Sequence, residues 1–277
     1  MTRELRPLAV VTGASTGIGL ELARCCMGAG MDVLAVADEP AIHGAVAGLE
    51  GAGQAQALEA DLATAVGVDA LEAAIGDRAV AVLIANAGRG LGHAFVEQSF
   101  AEIRRVLDTN ITGTVDLVHR VARRMRAAGE GRILITGSIA GFIPGTYQAV
   151  YNASKAFLDS FALALRAELK DTGVTVTCLI PGATDTEFFA RADLLDTEVA
   201  TGDKQPAEEV AAAGALSAPA SRCARRAAPK DGRARRRDAV IGEASRGGRS
   251  LSPARGLAAP VIRSRRAPGG RRRRRGG

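Results

Sequence analysis

The sequence predicts an α/β fold: a doubly wound parallel sheet with helices on both faces, followed by a basic tail. Three observations predict it. Apolar runs of Val, Ile, Leu and Ala recur through the first 200 residues, each followed by an amphipathic stretch of helical length. Near-continuous apolar runs belong to strands covered on both faces, as in a parallel sheet. A glycine-rich turn, TGASTGIG at 12–19, joins the first run to the first helical stretch. Finally, the charge changes sign along the chain. Residues 1–210 hold 17 Lys/Arg against 27 Asp/Glu, whereas residues 211–277 hold 19 against 3. That asymmetry implies two parts of different character.

The elements follow in order. PLAVVTG (7–13) reads as a buried strand and residues 17–28 as the first helix. MDVLAVAD (31–38) is a second strand, followed by a helix near 40–50 and a third strand, QALEADL (56–62), that ends in Asp61. VDALEAAIG (68–76) is helical and AVAVLIANAG (79–88) is the fourth strand. Residues 99–127 form a helix with a break near Asn110, and RILITGS (132–138) is the fifth strand. A helix over 149–171 leads to the sixth strand, VTVTCLIPG (174–182). Right-handed crossovers make this order a Rossmann-type sheet in a single domain over 1–210.

The pattern stops after about residue 216. Of the 67 residues in 211–277, 49 are Ala, Arg, Gly or Pro and none is aromatic. Such a composition buries too little surface to offset the entropy of ordering, so 211–277 is expected to be a disordered tail. Codons for Ala, Arg, Gly and Pro begin with two G or C bases. A frameshift near 210–220 in a GC-rich gene would give the same composition, and stands as an alternative to a native tail. RARRR at 233–237 and the terminal arginines can meet phosphates. Without interleaved aromatics for base stacking, nucleic acid is not an expected partner.

Composition narrows the class further. A hydrophobic content of 47% is enough for a substantial core. Cys25, Cys26, Cys178 and Cys223 show no CxxC spacing, which favours a reduced cytoplasmic chain without disulfides or zinc. His43 and His119 fall in helices with no metal-ligand pattern, so no metal is expected. MTRELRPLAVVTG does not read as a signal peptide, and no run of 18 apolar residues suggests a membrane span.

The candidate chemistry begins at the glycine turn. Gly13, Gly17 and Gly19 allow a tight turn and close approach of a pyrophosphate, which the following helix N-terminus would attract. An ordinary strand–helix turn would use the same residues. Asp38 ends the second strand, where a carboxylate can bind ribose hydroxyls. It could equally cap the next helix. Glu39 follows, and no Lys or Arg lies between 31 and 50. Two carboxylates would repel a 2′-phosphate, so NAD is favoured, with NADP possible.

Tyr151 and Lys155, in YNASK, lie one helical turn apart on one face. They are either a surface pair or an acid/base centre. A free tyrosine titrates near 10; a neighbouring ammonium and the positive charge of an oxidised nicotinamide would both lower that value, which would suit proton transfer to or from an alcohol. Ser138 lies 13 residues before Tyr151, at the C-terminal end of a strand, where open α/β sheets bind ligands. Tyr147 has no lysine one turn on and is assigned to the pocket wall or the start of the helix.

TGASTGIG, NAG at 86–88, Asn110 in DTNITG, Ser138 in ITGS, YNASK and PGATDT at 181–186 occur in one order. Together, over about residues 7–200, they resemble the short-chain dehydrogenase/reductase family. The resemblance implies an oxidoreductase that moves a hydride between NAD(P) and a secondary alcohol or ketone. Tyr151 would be the acid/base, Lys155 would hold the nicotinamide ribose, Ser138 the substrate oxygen, and Asn110 a relay water. Gly13, Ser15, Thr16, Gly17, Ile18 and Gly19 would cradle the phosphates. Asp61 and Leu62 would meet adenine. Asn86, Ala87 and Gly88 would face the middle of the cofactor, and Pro181, Gly182 and Thr186 would border the nicotinamide. A homodimer or homotetramer through helices 99–127 and 149–171 is implied as well. Phe142, Ile143, Phe188, Phe189, Leu194 and Leu195 either line an apolar substrate pocket or pack against the core. His93 either reaches substrate or sits on the surface. The alternative function is a non-catalytic cofactor-binding protein, or one tethered to nucleic acid by its arginines.

Overall fold

In the computed structural model, residues 6–195 and 201–217 are described. Six strands pair in parallel: β1 (Leu8–Thr12), β2 (Asp32–Ala37), β3 (Ala55–Glu59), β4 (Val80–Ala85), β5 (Gly131–Thr136) and β6 (Val174–Leu179). Their order is β3-β2-β1-β4-β5-β6. The order reverses between β1 and β4, and the crevice beyond the C-terminal ends of these strands is where such sheets bind ligands.

Side chains alternate along each strand and divide the core in two. Val10, Leu34, Leu83, Ile133 and Ile135 face one side. There they meet Val68 and Leu71 of α3 (Ala65–Ile75), Leu117 and Met125 of α5 (Thr114–Ala128), and Leu158 of α6 (Ala149–Glu168). Ala9, Val11, Ala35, Ile84 and Leu134 face the other side. Leu22 and Met27 of α1 (Gly17–Gly28) and Ile42 of α2 (Ala41–Ala47) cover them. Each fully buried leucine or isoleucine contributes about 1.5–3 kcal/mol.

The expected break near Asn110 is a π-helical segment, Asp108–Gly113, between α4 (Phe100–Leu107) and α5. Beyond β6 lie β7 (Thr184–Asp185), α7 (Phe188–Arg191), β8 (Gln205–Pro206) and α8 (Ala207–Ser217). β7 and β8 pair as a small second ribbon. α8 crosses the boundary that composition set at 210. Ala211 is fully buried in the α1 side of the core, and Gly214 lies close to Leu22, Leu134 and Leu179. Alanine-rich sequence resembles the tail in composition, yet alanine is the best helix former and fits flat against α1. The expectations for the rest of the tail fall, past Ser217, outside the described residues. No described helix is long and apolar enough to cross a membrane.

Candidate active site

One cavity of about 470 Å³ opens along the C-terminal ends of the strands, from the glycine turn to Tyr151. At the glycine end, Gly13 and Gly17 have φ of 64° and 57°, left-handed values that favour glycine. A methyl at Gly19 would overlap the Gly13 carbonyl. Thr16 begins α1 without a side-chain cap, so the first-turn N–H groups remain for an anion. This cradle and the length of the cavity fit a dinucleotide.

Thr12 ties the turn to the sheet. Its hydroxyl accepts the N–H groups of Asn86 and Ala87, each at 3.0 Å. The Asn86 amide donates to the carbonyls of Thr12 (3.1 Å) and Gly13 (3.2 Å). Its Oδ1 accepts from Thr136 Oγ1 at 3.1 Å, and the Thr136 carbonyl accepts from Lys155 Nζ at 2.8 Å. One hydrogen-bonded chain therefore runs from the glycine turn to Lys155. The Asn86 side chain, expected to face a cofactor, is spent within it.

The second wall is charged. Asp38 does not cap α2, which starts at Pro40 without a side-chain cap. Its carboxylate instead lies 3.1 Å from Arg105 and 3.6 Å from Arg89. Arg105 also pairs with Asp61. Burial works to raise the Asp61 pKa, but Arg105 and the Ala63 N–H outweigh it and the net direction is down. Ser15 donates to Glu39, which also pairs with Arg191 at 2.9 Å. The Ser15 hydrogen bond is the main cause of a lowered Glu39 pKa. The expectation of two unopposed carboxylates is thus corrected. Each has an arginine from distant sequence, so the corner repels a 2′-phosphate far less than the local sequence implied.

The third region holds the candidate acid/base. Ser138, Tyr151 and Lys155 are 9%, 8% and 5% exposed. The Ser138 hydroxyl and the Tyr151 phenol both border the cavity, and Ser138 acts to favour the phenolate. Lys155 Nζ lies 6.0 Å from the centre of the Tyr151 ring, over its face. Burial pushes the Lys155 amine down to about 8, although Asp159 and Cys178 oppose it. The expected lowering called on the ammonium and an oxidised nicotinamide together; within the protein alone the phenol moves up. Burial pushes it up to about 12, assisted by Asp159 and only partly offset by Ser138. Desolvation of the phenolate is the largest of these influences.

Asn110 is fully buried behind this group rather than on the cavity wall. Its Nδ2 donates to the Arg89 carbonyl and to Ser154, both at 2.9 Å, and its Oδ1 accepts the Arg89 N–H at 2.7 Å. The side chain fastens the loop after β4 to α6. Both the Asn110 amide oxygen and Lys155 Nζ lie close to Gly88, where a methyl would stand 3.4 Å from each.

Apart from Asn110, every candidate site residue named from sequence borders this cavity, from Gly13 through Asp38, Leu62 and Ala87 to Pro181, Gly182 and Thr186. The two readings of the apolar residues divide between them. Phe188 and Ile143 line the cavity, and the Phe188 ring lies 5.0 Å from that of Tyr151. Phe189 does both, bordering the cavity while buried in a small cluster with Leu194, and Phe142 and Leu195 are exposed. His93 is exposed and meets Asp193 at 2.7 Å. Tyr147 is exposed just before α6. Sequence reasoning missed Thr12, Thr136, Arg89, Arg105 and Arg191. Among them only Thr12 and Thr136 carried a signal, as polar residues at the C-terminal ends of apolar strands. Among the described residues no three His, Cys, Asp or Glu gather as a metal cluster.

Known proteins match this arrangement. The family described as short chain dehydrogenase matches residues 7–194. An uncharacterized oxidoreductase of Myxococcus xanthus is 34% identical over 188 residues, covering 66% of this chain and 74% of that protein. A sulfoacetaldehyde reductase of Chromohalobacter salexigens is 33% identical over 204 residues, covering 72% and 78%. Among solved structures, a short-chain dehydrogenase from Sphingobium yanoikuyae in complex with NADPH superposes with a TM-score of 0.71 at 32% identity, covering 76% of this chain and 83% of that one.

Proposed function

The chain belongs to the short-chain dehydrogenase family, oxidoreductases acting on CH–OH groups with NAD or NADP, and we propose that Tyr151 is its acid/base toward a secondary alcohol or ketone. The observation that carries this reading is the gathering of buried Ser138, Tyr151 and Lys155 on the wall of one cavity that begins at the glycine cradle. When bound, the nicotinamide supplies or accepts the hydride. The remaining work belongs to the protein's side chains. Gly13, Gly17 and the first turn of α1 hold the pyrophosphate. Lys155, anchored to the Thr136 carbonyl, would hold the nicotinamide ribose, and Thr186, on the same cavity wall, would border the nicotinamide.

Ser138 orients the substrate oxygen and Tyr151 exchanges its proton. A phenol there would donate its proton to a ketone oxygen in reduction and, as phenolate, accept it from the alcohol in oxidation. Phe188 and Ile143 on the cavity wall suit an apolar substituent on the substrate. For the cofactor, Asp38 can accept ribose hydroxyls, which supports NAD. Arg89 and Arg105 beside it make NADP a tolerated alternative. Exposed Phe100 on α4, and Phe157 and Leu163 on α6, suit a homodimer or homotetramer through those helices. The deciding experiment screens secondary alcohols and ketones with both cofactors, then repeats the best pair with Tyr151→Phe. A loss of about 10²–10⁴ in kcat is expected. Turnover near the parent's would sink the proposal.

A further inference from the structure

Asp159 lies one turn beyond Lys155 on α6 and is 5% exposed, a carboxylate buried behind the reacting groups. Nothing in the reaction as described uses it. Buried carboxylates are costly unless their surroundings are built for them. These surroundings are. The loop from β5 wraps the carboxylate so closely that a methyl at Gly137 would overlap Oδ1 and a methyl at Gly141 would overlap Oδ2. The backbone N–H of Ser138, between those glycines, is directed at the carboxylate and favours its charged form. Cys178 Sγ on β6 donates to Oδ1 at 3.5 Å. Oδ2 is buried with no hydrogen-bond partner.

We propose that Asp159 is a positioning residue of the active site: its carboxylate seats the loop that carries Ser138 against Tyr151, and its charge balances Lys155 while opposing that of a tyrosinate. The first half follows from the geometry, because Gly137, Ser138 and Gly141 all close on one side chain. The second follows from position, because Lys155 precedes Asp159 by one turn and Tyr151 by two. The groups facing the carboxylate are Lys155 and Tyr151 from α6, Cys178 from β6 and the Ser138 N–H from the loop. The thiol is pushed up to about 12 by burial and stays a neutral donor. Burial also raises the Asp159 pKa, against the lowering by Cys178, Ser138 and Lys155.

The test uses an unusual property of the chain, which has two tyrosines and no tryptophan. With Tyr147→Phe as background, tyrosinate absorbance reports Tyr151 alone. Tyr147 is exposed and lies outside the cavity wall. In that background, Asp159→Asn keeps an acceptor for Ser138 but removes the charge. The Tyr151 midpoint should fall by about half a pH unit or more, and kcat should fall at least ~10-fold with little change in cofactor KM. Asp159→Glu keeps the charge but adds a methylene beneath the loop. Its midpoint should stay near the parent's while kcat still falls. An unmoved midpoint or an unchanged kcat in Asp159→Asn overturns the proposal, and so does parental kcat in Asp159→Glu. The inference rests on Tyr151 as the acid/base. The titration needs no turnover, so a failure here is distinguishable from a failure of that assignment.

Discussion

The two ends of the cavity are held by different physics. At the tyrosine end, Ser138, Tyr151, Lys155 and Asn110 are buried, and Lys155 and Asn110 are fixed by hydrogen bonds to backbone carbonyls. At the Asp38 end, three carboxylates meet three arginines that are a third or more exposed. Exposed ion pairs contribute about 0–1 kcal/mol each and are screened by salt, whereas a buried donor or acceptor left without a partner costs about 1–3 kcal/mol. A mutation at the first end should therefore act on rate or stability steeply. One at the second should tune cofactor choice and little else.

The largest effect expected after Tyr151→Phe is that of Lys155→Met. Turnover should fall at least ~100-fold, yet the fold should tolerate the change. Burial disfavours the ammonium and holds the folded-state Lys155 pKa down at about 8, below its ordinary value of 10.5. The charged form therefore costs the folded state stability, fully below pH 8, and the cost fades as pH rises to the unfolded value. This penalty is on the order of 3 kcal/mol. Losing the donor to the Thr136 carbonyl offsets about 1–3 kcal/mol of the relief. At pH 6.5 the variant should melt near or above the parent, and at pH 9.5 the difference should move in the parent's favour. Thermal melts at the two pH values check it. A variant that melts well below the parent at pH 6.5, and no better than at pH 9.5, would place the lysine among the groups that stabilise the fold.

Asn86→Leu comes next. It cuts the chain from Thr12 to Thr136 and leaves several polar groups without partners. A stability loss of about 2–4 kcal/mol is expected, by denaturant melts, with cofactor affinity reduced as the glycine turn loosens. A loss below about 0.5 kcal/mol would show that the two ends are not joined through this side chain.

The same contrast explains what the sequence made legible. Tyr151 and Lys155 are four residues apart on one helix, and Gly13, Gly17 and Gly19 fall in one turn, so local spacing exposes both. Strands such as β1 (LAVVT) and β4 (VAVLIA) were readable as continuous apolar runs, whereas β3 (AQALE), half exposed at the sheet edge, was readable chiefly from its place in the order. Arg105 and Arg191 were not readable as partners of Asp38 and Glu39, being 67 and 152 residues away along the chain. Only the folded crossovers bring them to one corner. The burial of Tyr151 was not legible for a related reason. Sequence displays the neighbouring charge but not the depth of burial, and here burial is the larger influence.

The mildest prediction probes the exposed end. Arg105 holds Asp38 and Asp61 together, at 3.1 Å from Asp38 and in closer contact with Asp61, and Arg89 stands 3.6 Å from Asp38 on its other side. Removing the guanidinium in Arg105→Ala leaves both carboxylates less compensated where a 2′-phosphate would sit. NADP should then be penalised more than NAD. A unit charge near a protein surface acts with an effective dielectric well above that of the interior, and salt screens it further. The ratio of kcat/KM for NAD to that for NADP should therefore rise only about 3- to 10-fold. Most of the change should lie in the NADP KM, and it should shrink as salt is added. Stability should change by less than about 1 kcal/mol, since the lost pairs are partly exposed. A ratio that stays put or falls would show that Arg105 does not compensate the carboxylates toward a 2′-phosphate, and would break the assignment of cofactor choice to exposed charge at this end of the cavity.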